Sequence, residues 1–118
     1  MKKEVGVGIV SLNSDYNTLV QELLKIKQQY KNIVVYTTLL SQKEQELAFA
    51  ALELGIPYYV FVYDKEYEKY FSQRDYERFC WLQIRAKKIK VLRRDQRVKH
   101  IAPLLKKVIK MCDIILRI

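Results

Sequence analysis

The feature that most constrains the fold of this chain is a regular alternation of short apolar runs and longer amphipathic segments. Each segment between two runs carries apolar residues at helical spacing. A chain that alternates in this way is expected to form an α/β, Rossmann-like domain, in which an open parallel five-stranded sheet has helices on both faces. The length of 118 residues fits one such domain spanning residues 1–118. The predicted strands are VGVGIVS (Val5–Ser11), NIVVYTT (Asn32–Thr38), YYVFVY (Tyr58–Tyr63), KIKVL (Lys88–Leu92) and DIILRI (Asp113–Ile118).

Capping residues predict where the helices between these strands begin and end. Ser41 and Glu44 have the spacing of a capping box, in which the hydroxyl accepts one free N–H and the carboxylate reaches back for another. Gly55 suits the left-handed position that ends a helix. Ser72 is placed to cap the third helix, and Pro103 suits the first turn of the fourth.

The strand order can be predicted by counting the helices available to each face of the sheet. With right-handed crossovers, the order 3-2-1-4-5 places two helices on each face, whereas 2-1-3-4-5 leaves a single helix on one face. Because the first order leaves less apolar sheet uncovered, 3-2-1-4-5 is the preferred prediction. Strand five lies at an edge in either order.

The charge of the chain is unevenly distributed. The net charge is +9, but residues 1–83 hold 10 basic and 11 acidic side chains, whereas residues 84–118 hold 12 and 2. The balance is therefore −1 in the first part and +10 in the last third, which together give +9. Such asymmetry indicates an anionic ligand or partner at that end, although a lysine-coated helix face kept in solvent explains it equally well.

Several functional classes lack support in the sequence. No apolar run has the length of a membrane helix, and the start MKKEVGVGIV lacks the cleavage site of a signal peptide, so a cytoplasmic protein without membrane contact is expected. Cys80 and Cys112 are far apart and lack metal-ligand spacing, so we expect buried free thiols and no metal or cofactor. No nucleophile, metal cluster or carboxylate pair indicates a catalytic site, and enzyme activity is not predicted.

A ligand site is expected beyond the carboxyl ends of the strands, where the strand order reverses. In the order 3-2-1-4-5 this point lies between strands one and four, next to the loop after strand two. Hydroxyls, amides and arginines gather there, and arginine forks match phosphate oxygens. The predicted ligand is therefore a nucleotide or another phosphorylated small molecule. Its candidate ligand-binding residues are Ser11, Asn13, Thr37, Thr38, Ser41, Arg93, Arg94 and Arg97.

Two alternatives to this small-ligand site remain open. The hydroxyl and amide residues can serve only as turns and helix caps, and the arginines can form a solvated loop. The basic last third also predicts a nucleic-acid-binding surface, with phosphate contacts that are insensitive to base sequence. Its candidate residues, beyond the three arginines, are Lys87, Lys88, Lys90, Lys99, Lys106, Lys107 and Lys110.

Three segments resemble the SLOG superfamily of Rossmann-like domains. They are LAFAALELGIPYYVFV (residues 47–62), RDYERFCWLQIRAKKIKVL (residues 74–92) and VKHIAPLLKKVIKMCDIILRI (residues 98–118). This superfamily joins lysine-decarboxylase-like cytokinin-activating enzymes, the DNA-processing-protein domain and YpsA-type small proteins. The resemblance implies a domain that binds nucleotides or nucleotide-derived ligands. Where relatives carry a glycine-rich loop this chain has Thr37–Gln42, and the motif PGGxGTxxE is absent, so no catalytic residue is carried over.

The last predicted strand suggests self-association. An edge strand presents unpaired backbone groups, and proteins usually cover or pair such an edge. Two-fold dimers are the commonest solution, so a homodimer is expected. The apolar residues that make this edge a hazard are Ile114, Ile115, Leu116 and Ile118.

Overall fold

The computed structural model describes residues 4–10, 12, 14–63, 72–92 and 102–118. Strands and helices alternate along the chain, and all neighbouring strands pair in parallel, as the sequence pattern predicts. The sheet has the order β4-β3-β2-β1-β5. The elements are β1 (Val5–Val10), α1 (Tyr16–Gln29), β2 (Ile33–Thr37), α2 (Gln42–Leu54), β3 (Tyr58–Tyr63), α3 (Gln73–Arg85), β4 (Lys88–Leu92), α4 (Ala102–Met111) and β5 (Ile114–Arg117).

The helices begin and end at the capping residues that are present in the sequence. The Asp15 carboxylate accepts a hydrogen bond from the Thr18 N–H at 2.8 Å, which starts α1. Ser41 and Ser72 cap α2 and α3 in the same way, each accepting at 3.2 Å from the backbone N–H three residues later. Gly55 adopts a left-handed conformation with φ 70° and ends α2.

The predicted strand order 3-2-1-4-5 is wrong. In the structure β4 lies beside β3, and β5 lies beside β1, so that the connection from β4 to β5 spans the sheet. The three successive crossovers from β1 to β4 run in one direction, and their helices α1, α2 and α3 share one core cluster. The connection back to β5 places α4 in a second cluster. We call these two sides of the sheet the three-helix face and the single-helix face.

The prediction failed because it treated the two faces of the sheet as equally apolar. On the single-helix face β1 presents glycine, at Gly6 and Gly8, and β4 presents Lys88 and Lys90. Such a face has little apolar surface to bury, so one helix is enough to cover it. The lysines of KIKVL at alternate positions are typical of an edge strand, and this signal favoured the observed position of β4.

The larger core lies on the three-helix face. Val7, Val35 and Val60 from the three central strands are fully buried there. Leu23 and Leu47 pack over them from α1 and α2. Burial of this apolar area is the main force that holds the three helices on the sheet.

The core on the single-helix face is smaller and more aromatic. Tyr36 stacks on Tyr59 with ring centroids 5.8 Å apart and meets Phe61 edge-on at 5.1 Å. Leu104 and Val108 of α4 cover this cluster.

The two glycines of β1 make room for this packing. A Cβ atom at Gly6 would lie 2.4 Å from the Tyr36 ring, and one at Gly8 would lie 2.6 Å from the Cys112 Sγ atom. The Cys112 thiol donates to the Val108 carbonyl at 3.2 Å. Burial, with smaller contributions from Glu44 and Asp113, raises the pKa of Cys112 to about 12. Cys112 is therefore a packed, protonated free thiol at neutral pH, and it is half-buried.

The two edges of the sheet are β4 and β5, each with one strand neighbour among the described strands. The edge position of β5 agrees with the sequence, whereas the homodimer inferred from it remains a prediction. None of the described helices combines the length and the apolar character needed to cross a membrane.

Candidate functional site

The loop after β2, at the carboxyl edge of the sheet, is closed by hydrogen bonds from within. Thr37 and Thr38 are fully buried, and the Thr37 hydroxyl lies 2.6 Å from the Glu44 carboxylate and 3.0 Å from its carbonyl oxygen. The same carboxylate oxygen accepts from the Thr38 N–H at 2.9 Å. The Gln45 side-chain amide donates to the Leu39 carbonyl at 3.1 Å. Two residues from the first turn of α2 therefore fix the loop, and the hydroxyl of Thr37 is directed toward the protein.

Glu44 differs in its role from the capping box that the sequence predicts. Ser41 does cap the helix, but the Glu44 carboxylate bonds Thr37 and Thr38 rather than reaching back to the N–H of Ser41. Glu44 is only 5% exposed. Burial raises the pKa of this carboxyl above its ordinary value, and the hydrogen bonds from Thr37 and Thr38 oppose that shift only in part.

Leu39 holds the loop in a strained backbone conformation. It has φ 59°, in the left-handed region that favours glycine, and its side chain is fully buried in the core of the three-helix face. A buried leucine thus occupies the left-handed position of this loop. The side chain anchors the loop to the core at the cost of backbone strain.

A small cleft lies between the start of α2 and α3. Its lining includes the exposed Ser41 and Gln42, whose backbone amides belong to the unpaired first turn of α2, and the side chains of Gln45, Asp75 and Arg78. The Arg78 guanidinium lies 3.8 Å from the Asp75 carboxylate and is 38% exposed. A helix N-terminus favours an anion, whereas the Asp75 carboxylate offsets part of the positive charge that Arg78 brings to the cleft.

Five of the eight predicted ligand-binding residues lie outside the described part of the chain, and so does Lys99 of the predicted nucleic-acid surface. The five are Ser11, Asn13, Arg93, Arg94 and Arg97. The structure nevertheless corrects the premise that joined them, because β1 and β4 are separated by β2 and β3. At the usual spacing between strands, their ends lie roughly 14 Å apart. The loops after β1 and β4 therefore do not leave from neighbouring strands.

The point at which the connections of neighbouring strands lead to opposite faces falls between β3 and β4 instead. The chain leaves β3 toward α3 on the three-helix face, and it leaves the neighbouring β4 toward α4 on the opposite face. A crevice is expected where two neighbouring strands lead to opposite faces. The segments that leave there are residues 64–71 and the basic run 93–101, both outside the described residues.

Lysines gather on the single-helix face. The Lys88 and Lys90 ammonium groups lie 5.3 and 5.4 Å from the centre of the Tyr59 ring, and Lys90 lies 5.9 Å from that of Phe61. The Tyr59 hydroxyl donates to the Glu4 carboxylate at 2.7 Å. The candidate lysines that are described and exposed are Lys87, Lys88, Lys90, Lys106, Lys107 and Lys110.

Sequence reasoning missed Gln45 and Arg78 at the carboxyl edge and gave Glu44 a different contact. Glu44 was predicted as the carboxylate of a capping box, although two adjacent threonines seven and six residues before it offered it partners. Arg78 lies within a charged helix, and only the packing of α3 beside α2 brings it to the cleft.

The described residues contain no cluster of three or more His, Cys, Asp and Glu side chains that could hold a metal ion. No protein-family model matches the chain, and no curated protein shows significant sequence similarity to it.

Proposed function

We propose that this protein binds a phosphorylated small molecule, of the nucleotide class, at the carboxyl edge of its sheet. The proposed site lies near the end of β4, where the connection from β4 to β5 begins. The observation that carries the proposal is that the connections of β3 and β4 lead to opposite faces, since ligands of open parallel sheets sit at such points. The segment that leaves β4 contains Arg93, Arg94 and Arg97. Guanidinium groups there suit phosphate oxygens.

The cleft at the start of α2 supports the same ligand class. The N-cap Ser41 and the first helical residue Gln42 are exposed and line the cleft, and Arg78 lies in the same lining together with Asp75. Thr37 and Thr38 hold the loop through Glu44. The resemblance of residues 47–62 to SLOG domains points to the same class of ligand.

Binding is the proposed activity, and no catalytic role is assigned. Among the described residues, Glu44 is the strongly buried carboxyl, and both of its hydrogen-bond donors lie within the loop. It is an element of loop structure in this proposal and has no assigned chemical step.

Isothermal titration calorimetry with ATP, GMP and inorganic pyrophosphate at low salt tests the proposal. We expect ATP or GMP to bind with a dissociation constant below 1 mM, that is, with at least about 4 kcal/mol of binding free energy. Arg78→Gln and Arg93→Ala are expected to weaken binding. Arg74→Gln is the matched control, because Arg74 is exposed on the same helix and does not line the cleft. Absence of binding by all three probes, or equal affinity in all variants, contradicts the proposal.

Nucleic acid is a second candidate ligand, and the exposed lysines of β4 and of α4 favour it. Lys88, Lys90, Lys106 and Lys110 form no ion pair with a described residue. A duplex bound there is held by phosphate contacts, so its affinity falls steeply with salt, by a little under one log–log unit for each phosphate neutralised. An electrophoretic shift at several salt concentrations, with the double variant Lys106→Glu/Lys110→Glu, distinguishes this surface from the cleft. If the double variant binds nucleic acid as tightly as the unmodified protein, this second candidate function is contradicted.

A further inference from the structure

Among the described strands, the outer edge of β4 is not paired with another strand. Within the described part of the chain β4 pairs only with β3, so its other side carries backbone N–H and C=O groups without a strand partner. Helix α3 packs on α2 rather than over β4. In consequence two apolar side chains of β4 on the three-helix face are uncovered: Ile89 is 45% exposed and Val91 is 62% exposed.

The opposite side of the same strand is basic. Lys88 and Lys90 alternate with Ile89 and Val91, so one strand presents ammonium groups on one face and aliphatic groups on the other. The ammonium groups of both lysines lie above the Tyr59 ring, within 5.4 Å of its centre. Tyr59 belongs to β3, so both ammonium groups lie toward the inner neighbour of β4, and pairing with a strand added at the outer edge requires them to turn away from the ring.

A second copy of this chain is a poor occupant of the edge. Antiparallel pairing of two β4 strands about a two-fold axis keeps the same face of both sheets on one side. Lys88 and Lys90 of one copy would then lie opposite the lysines of the other, and like charges directly opposite each other destabilise a strand pair. The same lysines attract a strand whose side chains on that face are acidic.

We infer that β4 is a docking site for an extended segment of a partner protein that alternates acidic and apolar residues. The segment adds a sixth strand at the β4 edge through backbone hydrogen bonds. Its carboxylates meet Lys88 and Lys90, and its apolar side chains cover Ile89 and Val91. The site is separate from the proposed ligand site, which lies at the carboxyl edge of the sheet.

Fluorescence anisotropy with a labelled, capped peptide of sequence EVEVEVE tests this docking site. We expect saturable binding that weakens by about tenfold in the double variant Lys88→Glu/Lys90→Glu, since two cross-strand charge pairs change from attraction to repulsion. The peptide KVKVKVK should show the reverse preference, binding to the double variant and not to the unmodified protein. A peptide N-methylated at alternate residues cannot add a strand and is expected to bind at least tenfold more weakly.

Matched variants separate this site from general electrostatic attraction. Lys106→Glu/Lys110→Glu changes the net charge by the same amount but alters exposed residues of α4, so peptide binding should change less than twofold. Equal loss in both double variants, or full binding of the N-methylated peptide, overturns the inference. The inference is also overturned if EVEVEVE does not bind at all while an oligonucleotide binds and its affinity falls in Lys88→Glu/Lys90→Glu. In that case β4 belongs to a nucleic-acid-binding surface.

Discussion

The two faces of the sheet differ in residue composition. On the three-helix face α1, α2 and α3 bury a continuous aliphatic core, whereas on the single-helix face α4 alone covers an aromatic cluster flanked by lysines. The difference arises from topology, since three successive crossovers in one direction leave their helices on one side. Glycines in β1 and lysine stems from β4 reduce the apolar area that α4 must cover. A sheet can therefore be stable with unequal cover when its two faces differ in composition.

The largest expected effect is a loss of stability on truncating either core, and it tests which core contributes more. Leu47 and Leu104 are both fully buried, Leu47 on the three-helix face and Leu104 on α4. Changing either to Ala should lower the free energy of unfolding by about 2–5 kcal/mol, and the loss should be larger for Leu47, since a single helix can shift to close a cavity. Urea denaturation measures both values. An equal or larger loss for Leu104→Ala contradicts the proposed difference between the faces.

A second experiment tests whether glycine in β1 is needed by the aromatic cluster. In Gly6→Ala the new Cβ atom would approach the Tyr36 ring to 2.4 Å, and the resulting overpacking should lower the free energy of unfolding by about 1–3 kcal/mol. In a Tyr36→Leu background the same substitution should cost less, because the ring is absent. A double-mutant cycle by thermal unfolding measures this coupling, and additive effects would show that the contact does not constrain position 6.

A smaller effect concerns the strained loop on the three-helix face. Leu39→Ala and Leu39→Gly both remove the buried side chain, but only glycine adopts φ 59° without strain. We expect the glycine variant to be more stable than the alanine variant by about 1 kcal/mol, the reverse of the order at ordinary helical or strand positions. Chemical denaturation of the pair decides this, and an alanine variant at least as stable as the glycine variant refutes the strain.

The smallest expected effect is the pH dependence of stability due to Glu44. Burial raises the pKa of this carboxyl in the folded protein above its ordinary value of 4.5, so the folded state holds the proton more tightly than the unfolded state. The contribution of Glu44 to stability is then fully present below the unfolded pKa and is lost as the pH rises through the folded pKa. Glu44→Gln removes this titration and keeps an oxygen to accept from Thr37 and Thr38. The stability of the variant relative to the unmodified protein should therefore increase as the pH rises from 4 to 8, as measured by urea denaturation. A difference that is constant across this range contradicts the assignment.

The local elements of this fold could be predicted from the sequence, whereas the arrangement of its strands could not be predicted from counting helices. Caps at Ser41 and Ser72 and the left-handed Gly55 depend on neighbouring residues alone, and these predictions are confirmed. The position of β4 depends on which face each side chain occupies, and the alternation of Lys88 to Val91 carried that information.

The candidate site was less predictable for a related reason. Glu44 and Arg78 acquire their environments only when α2 and α3 pack together and when the loop after β2 folds back on α2. Thr37 and Thr38 were predicted as candidate ligand-binding residues at the carboxyl edge of the sheet, and the structure places them at that edge. Their burial could not be inferred from residue type alone, because threonine is common both in exposed sites and in loop hydrogen bonds.

The central claim, that a phosphorylated ligand binds at the carboxyl edge where the connections of β3 and β4 lead to opposite faces, is tested most directly by NMR. Uniformly ¹⁵N-labelled protein is titrated with ATP at low salt, and the backbone amide shifts are followed residue by residue. We expect saturable shifts in Ser41, Gln42 and Arg78 and in the run that follows Leu92, with the exposed lysines of α4 unaffected. Shifts confined to α4 and the outer residues of β4, or no saturable shift at millimolar ATP, would contradict it.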